Sequence, residues 1–222
     1  MGWGEYALAF AAFFLTHSVP IRPPVRPWLV ARLGSAGFGI AYSALSLGVL
    51  AWLIGAAGRA PYVPLWHWSP WQNHVVLTAM LPVCLILALA IARPNPFSFG
   101  GARNERFDPV RPGIVRLTRH PLLFALAFWA GAHLLANGDL AHAILFGIFA
   151  LFAGLGGRLV DRRKRRDMGP EWQRIDSARR QAPFLPRPAS WAGAAIRLAL
   201  GVGLYAALVW MHPYLFGVSP LP

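Results

Sequence analysis

Acidic residues are scarce in this chain. Eight Asp and Glu stand against 21 Lys and Arg, and charged residues of all kinds make up only 13% of the 222 residues. A soluble domain carries about a quarter, so there is too little charge here to cover a surface facing water. Cysteine occurs once, at Cys84, which excludes an internal disulfide and any cysteine-rich metal site. No Gly-rich phosphate loop, His–Glu zinc pair or nucleophile elbow is present. The first apolar run lacks the basic leader and small-residue exit of a cleavable signal peptide. Internal repeats are also missing.

What the chain has is apolar length. It is 56% hydrophobic, with a mean hydropathy of +0.47. The runs are continuous rather than alternating, which selects membrane helices over barrel strands. The reading is an all-α, polytopic integral membrane helix bundle, one domain over residues 1–222. About six transmembrane helices are expected, near 3–19, 37–57, 74–92, 121–136, 140–157 and 191–211, each close to the ~17–25 residues a span needs. In an alternating topology 20 of the 21 basic residues fall on one side, and only Arg59 on the other. The positive-inside rule makes that side cytoplasmic and puts both termini outside, as in a bacterial inner membrane protein. The net charge of +13 therefore points to the lipid bilayer as partner, and not to nucleic acid.

Connecting segments carry their own signals. The proline-rich stretch IRPPVRP after the first helix reads as an extended turn at the interface. Tyr62, Trp66, Trp68 and Trp71, in the loop 58–73, read as an aromatic belt on the outer side. Within the basic segment 158–190, Pro170 opens a short helix. Its Trp172, Ile175 and Ala178 recur at helical spacing, which fits either an interfacial helix over anionic lipid or a charged cytoplasmic segment placed only by topology.

Histidines carry the chemistry. His120 precedes Pro121, so it stands at the N-cap of the fourth helix beside Arg119 and Arg116. Free N–H groups and the helix dipole make that spot a site for an anion: a lipid phosphate, a nucleotide-like cofactor or haem propionates. The plainer alternative is a basic interfacial anchor. His133 lies within the apolar run, and His17 ends the first helix. Both are costly in lipid without a partner. Two neutral imidazoles on different helices can take the axial positions of a haem iron, or can simply hydrogen-bond between helices. His142, beside the capping Asp139, and the interfacial His67, His74 and His212 are weaker candidates.

The order of several short motifs carries a resemblance. They are His17-Ser18 with Arg22, YSALSL from Tyr42, Leu65-Trp66, Asn95-Pro96-Phe97-Ser98, Thr118-Arg119-His120-Pro121, and His133 with Asn137-Gly138. Together, over about residues 5–215, they resemble the NnrU family, bacterial membrane proteins associated with denitrification and nitric-oxide metabolism. That family is similar to zeta-carotene isomerase, a haem b protein. The likeness implies His17 and His133 as haem and metal ligands and sets its Arg-His-Pro motif on Arg119-His120-Pro121; with the neighbouring Arg116 of the anion site, Arg119 and His120 are the further cofactor-binding candidates. It also implies isomerisation of an apolar small molecule. Two departures count against the isomerase chemistry. Ala130 stands where the isomerase has a cysteine, and Phe152 and Ala153 stand near its histidine pair. A more distant likeness joins the RHP motif and Gly169-Pro170-Glu171-Trp172 to isoprenylcysteine carboxyl methyltransferases. It implies an S-adenosylmethionine-dependent methyltransferase as the alternative function, with a non-catalytic membrane assembly factor as the third.

Depth pulls against one of these implications. At ~1.5 Å per residue, His133 lies ~20 Å along the helix from His120. On the alternating topology His17 is level with His120. A His17–His120 pair fits depth, while the resemblance favours His133, and both pairings stay open at this point.

Overall fold

Most helices lie close to where local chemistry predicts, and two run well beyond it. The structure is a computed structural model that describes residues 2–184 and 187–222. Seven α-helices follow in order: α1 (Trp3–Ser18), α2 (Val25–Arg59), α3 (Pro70–Ala90), α4 (Pro121–Ala136), α5 (Leu140–Met168), α6 (Pro170–Gln181) and α7 (Trp191–Phe216). Two short 3-10 turns, Asn104–Arg106 and Gly113–Arg116, lie in the loop before α4. Proline at the first position opens α3, α4 and α6. Asp139 caps α5, its Oδ1 accepting the His142 N–H at 3.2 Å, and Ser190 caps α7 through the Gly193 N–H at 3.1 Å.

The exceptions are α2 and α5. The proline-rich turn expected up to residue 27 gives way to helix at Val25, so α2 runs 35 residues. Expected to stop near 157, α5 continues to Met168 for a total of 29 residues. Arginine and lysine are good helix formers, and cations in the last turns complement the negative end of the helix dipole, so the basic stretch extends the apolar one. Four helices, α2, α3, α5 and α7, are long and apolar enough to cross a membrane. Both α1 and α4 are shorter, at 16 residues each.

Contacts divide the chain into two units. The first runs to Trp66 and includes Gly138–Leu145. In it α1 lies against α2 in the opposite direction. Glu5 pairs with Arg59 at 2.6 Å near one end, and the Tyr42 hydroxyl reaches the His17 carbonyl at 3.4 Å near the other. Buried Tyr6 donates to the Ala141 carbonyl at 2.6 Å. The Gly138 carbonyl accepts from Leu65 N and Trp66 N.

His67–Asn137 and Phe146–Pro222 form the second unit. In it α3 packs on both α4 and α7. The Gln72 side chain, buried at the start of α3, donates to the Leu135 carbonyl on α4 at 2.9 Å. Arg197 of α7 donates to the Ala88 carbonyl of α3 at 2.6 Å and to the Ile91 carbonyl at 3.1 Å. Trp129 on α4 meets Phe146 and Phe149 of α5.

Candidate functional site

Before α4 the chain builds a polar knot. The Asn95 side chain holds two pieces of backbone, accepting from Phe97 N at 3.1 Å and donating to the Arg119 carbonyl at 3.0 Å. That fixes Ser98 beside the N-terminus of α4, where Pro121 keeps His120 out of helical conformation. Ser98 Oγ lies 3.1 Å from His120 Nδ1, and Asp161 Oδ1 of α5 lies 3.0 Å from His120 Nε2. All three residues are buried. One turn before Asp161, Gly157 leaves room for the imidazole, since a Cβ there would come within 3.0 Å of its ring.

Asp161 also takes a forked bond from Arg119, at 3.2 Å from Nε and 2.6 Å from Nη2. The remaining Arg119 nitrogen points to Asp176 of α6 at 3.5 Å. Asp176 accepts from Arg179 at 2.8 Å and from Arg180 at 2.9 Å. Arg179, 5% exposed, reaches on to the Val115 and Arg116 carbonyls. One network of bonds thus ties the loop after α3, the start of α4, the end of α5 and all of α6.

Bonding fixes the protonation pattern. Asp161 faces a guanidinium and can only accept, so His120 Nε2 carries the hydrogen and Nδ1 accepts from the Ser98 hydroxyl. Burial pushes the His120 pKa below its ordinary value despite the neighbouring carboxylate, and the adjacent Arg119 adds to this. Burial alone would raise Asp176, but Arg179, Arg119 and Arg180 together hold it below the usual range. Arg119 is held above its ordinary value because its two carboxylates outweigh the cost of its burial.

An apolar cluster lies under this knot. Phe97, Val115, Trp172 and Ile175 are buried together, with Phe107, Ile114 and Met168 around them. Trp172 meets Phe97 edge-on at 5.9 Å, and the guanidiniums of Arg165 and Arg119 lie 4.2 and 5.3 Å from its ring centre. The apolar residues of α6 are therefore packed on protein. A helix with Trp and Ile on one face and cations on the other fits either surface, and here the Phe97 cluster covers that face.

The expected site residues separate into two kinds. Arg119 and His120 already have anionic partners, Asp161 and Asp176, so an outside anion there would have to displace a carboxylate. Arg116 spends its Nε on the Ala182 carbonyl at 2.7 Å. His17 and His133 look different. His17 donates Nδ1–H to the Phe13 carbonyl at 2.8 Å, and its ring stacks on Phe13 at 4.0 Å with Tyr42 at 6.1 Å. His133 donates Nδ1–H to the Trp129 carbonyl at 2.9 Å, between the rings of Trp129 and Phe146, each 5.3 Å away. In both, the bond to a carbonyl places the hydrogen on Nδ1 and leaves the Nε2 lone pair with no hydrogen bond to a described residue. His17 belongs to the first unit and His133 to the second. His74 bonds the Pro70 carbonyl in the same way but is exposed, on an apolar groove of about 580 Å³ between α3 and α4. His142 is bonded to Asp139 at 2.7 Å. Among the described residues no group of three or more His, Cys, Asp or Glu gathers to hold a metal ion.

Asp161, Asp176, Ser98, Asn95 and Arg179 were not among the expected site residues. A signal existed for the two aspartates. With eight acids against 21 bases, any acid within a basic helical stretch is a counter-ion in demand.

Four apolar helices of membrane length define a multi-pass membrane protein. The NnrU protein family profile matches residues 5–220 of it, and the chain belongs to that family. Neither the curated proteins nor the solved structures give a match.

Proposed function

We propose that this protein binds haem b in the membrane through His17 and His133. The role would lie in nitrogen-oxide metabolism or in haem-dependent isomerisation of an apolar substrate. One observation carries the reading. Both histidines direct Nδ1–H to a helix carbonyl and leave Nε2 as an unused donor amid aromatic rings. Iron takes a neutral imidazole whose other nitrogen is fixed by a carbonyl in this way. Two protein ligands suffice for haem, whereas a structural zinc site asks for four. The bound haem would supply redox or Lewis-acid chemistry. The protein's own part is to fix the two tautomers and surround them with apolar side chains.

The same logic disfavours His120 as the partner of His17. Its Nδ1 accepts from Ser98 and its Nε2 donates to Asp161, so ligation would break a buried bond. The role kept for Arg119 and His120 is to hold the cytoplasmic end together, and Arg116 beside them would offer a cation to an anionic group of the cofactor. The topology proposed is six spans, α1 to α5 and α7, with both termini outside, in a bacterial inner membrane.

The test is an absorption spectrum of protein purified in mild detergent, oxidised and then dithionite-reduced. A Soret band with sharpened bands on reduction is expected. Absence of any Soret band, even after reconstitution with haem, would sink the reading. S-adenosylmethionine binding would then separate the methyltransferase alternative from an assembly factor.

A further inference from the structure

The first nine residues of α2 are more helix than the membrane needs. Gly34 interrupts α2 with φ 70° and ψ 167°, a conformation open essentially to glycine, so the element is two helices, residues 25–33 and 35–59. Residues 35–59 alone rise ~37 Å at ~1.5 Å per residue. That already exceeds a hydrocarbon core of ~30 Å. Residues 25–33 are therefore not needed to cross the core, and the break at Gly34 lets them leave it at an angle.

Their side chains suit the headgroup layer. Val25, Leu29 and Leu33 recur every four residues on one face. Arg26 and Arg32 flank that stripe, and Trp28 is 52% exposed. Arg32 lies over the Trp28 ring at 4.0 Å and Arg26 over Phe38 at 5.8 Å. Neither these arginines nor Arg22 has a carboxylate partner among the described residues. A short helix with an apolar stripe, flanking arginines and an exposed tryptophan, joined directly to a membrane span, matches an anionic lipid surface.

We propose that residues 25–33 form an interfacial helix that binds anionic phospholipid headgroups through Arg22, Arg26 and Arg32, with Gly34 as its hinge. The occupant is the phosphate layer of the membrane that α2 itself enters. Charge complementarity and continuity with the span argue for it over a soluble acidic partner.

The test uses full-length protein in nanodiscs. Single cysteines at Leu29→Cys, Ala31→Cys and Leu33→Cys are spin-labelled on a Cys84→Ser background, since Cys84 is fully buried. Oxygen and nickel-chelate accessibility then report depth. In nanodiscs rich in phosphatidylglycerol, labels at 29 and 33 should sit at headgroup depth and the label at 31 in water. In pure phosphatidylcholine, or with Arg26→Gln and Arg32→Gln combined, the accessibility contrast between these labels should fall severalfold. The lipid exchange leaves the protein unaltered, so it stands as a test even if the double variant folds poorly. Three results would each overturn the proposal: equal depths in both lipids, all labels at hydrocarbon depth, or all labels in water.

Discussion

His120 and His133 are thirteen positions apart, one just before α4 and one inside it, and they are bonded in opposite ways. His120 is saturated. A hydroxyl donates to one nitrogen, a carboxylate accepts from the other, and Arg119 locks that carboxylate. His133 is half-used, with one nitrogen on a carbonyl of its own helix and the other unspent among aromatic rings. The lesson is that a polar residue near or in a membrane is informative through what it leaves unbonded. By composition the RHP motif is the richer site, yet its charges are consumed in holding the fold. The plainer histidine keeps its chemistry available.

That contrast can be broken at the saturated end first. Asp161→Ala removes the acceptor shared by Arg119 and His120 and leaves a buried imidazole and a half-buried guanidinium short of their main partner. Breaking such a pair costs about 3–5 kcal/mol, read as a large drop in thermal unfolding temperature in detergent. An unchanged midpoint would show that the knot holds little. Trp172→Ala should follow at about 3 kcal/mol, because it empties the cluster on which α6 sits. Limited proteolysis should then cut within 170–181 faster than in the wild type, while the α3–α4 core stays protected.

Acid probes the same end more gently. His120 has its pKa lowered from 6.5 in the folded state, so the unfolded chain binds the proton more readily. Its contribution is fully present above the unfolded value of ~6.5 and is lost as pH falls through the lower folded value. Stability should therefore decline as pH falls through that window. A His120→Gln variant should flatten the decline; an equally steep one in the variant would assign it elsewhere. The smallest stability change is expected at the unsaturated end. His133→Leu replaces a half-used polar ring with an apolar one, and its midpoint should stay within the equivalent of about 1 kcal/mol of wild type.

Much of the fold was legible in the residues. Continuous apolar runs marked the helices, and proline and capping residues set most of their starts, Pro121 and Pro170 among them. The end of α5 and the start of α2 escape hydropathy for a shared reason. Hydropathy marks where lipid stops, whereas the helix continues as long as its residues favour it, and Arg162 to Arg166 do. The knot around Asp161 and Asp176 was largely hidden. Its links from Ser98 through His120, Arg119 and Asp161 to Asp176 join residues 22 to 57 positions apart, and no local pattern reports such pairing. The apolar face of α6 was visible as a face, but spacing alone does not say whether lipid or protein covers it. Phe97, in a loop of its own, decides that.

The most direct test of the contrast is a haem titration followed at the Soret band for wild type, His17→Ala, His120→Ala and His133→Ala, each at matched folded fraction. The account predicts that His17→Ala and His133→Ala lose tight binding while His120→Ala keeps the wild-type dissociation constant within a few-fold. Retained binding in His133→Ala together with its loss in His120→Ala would contradict the account and make the RHP histidine the ligand.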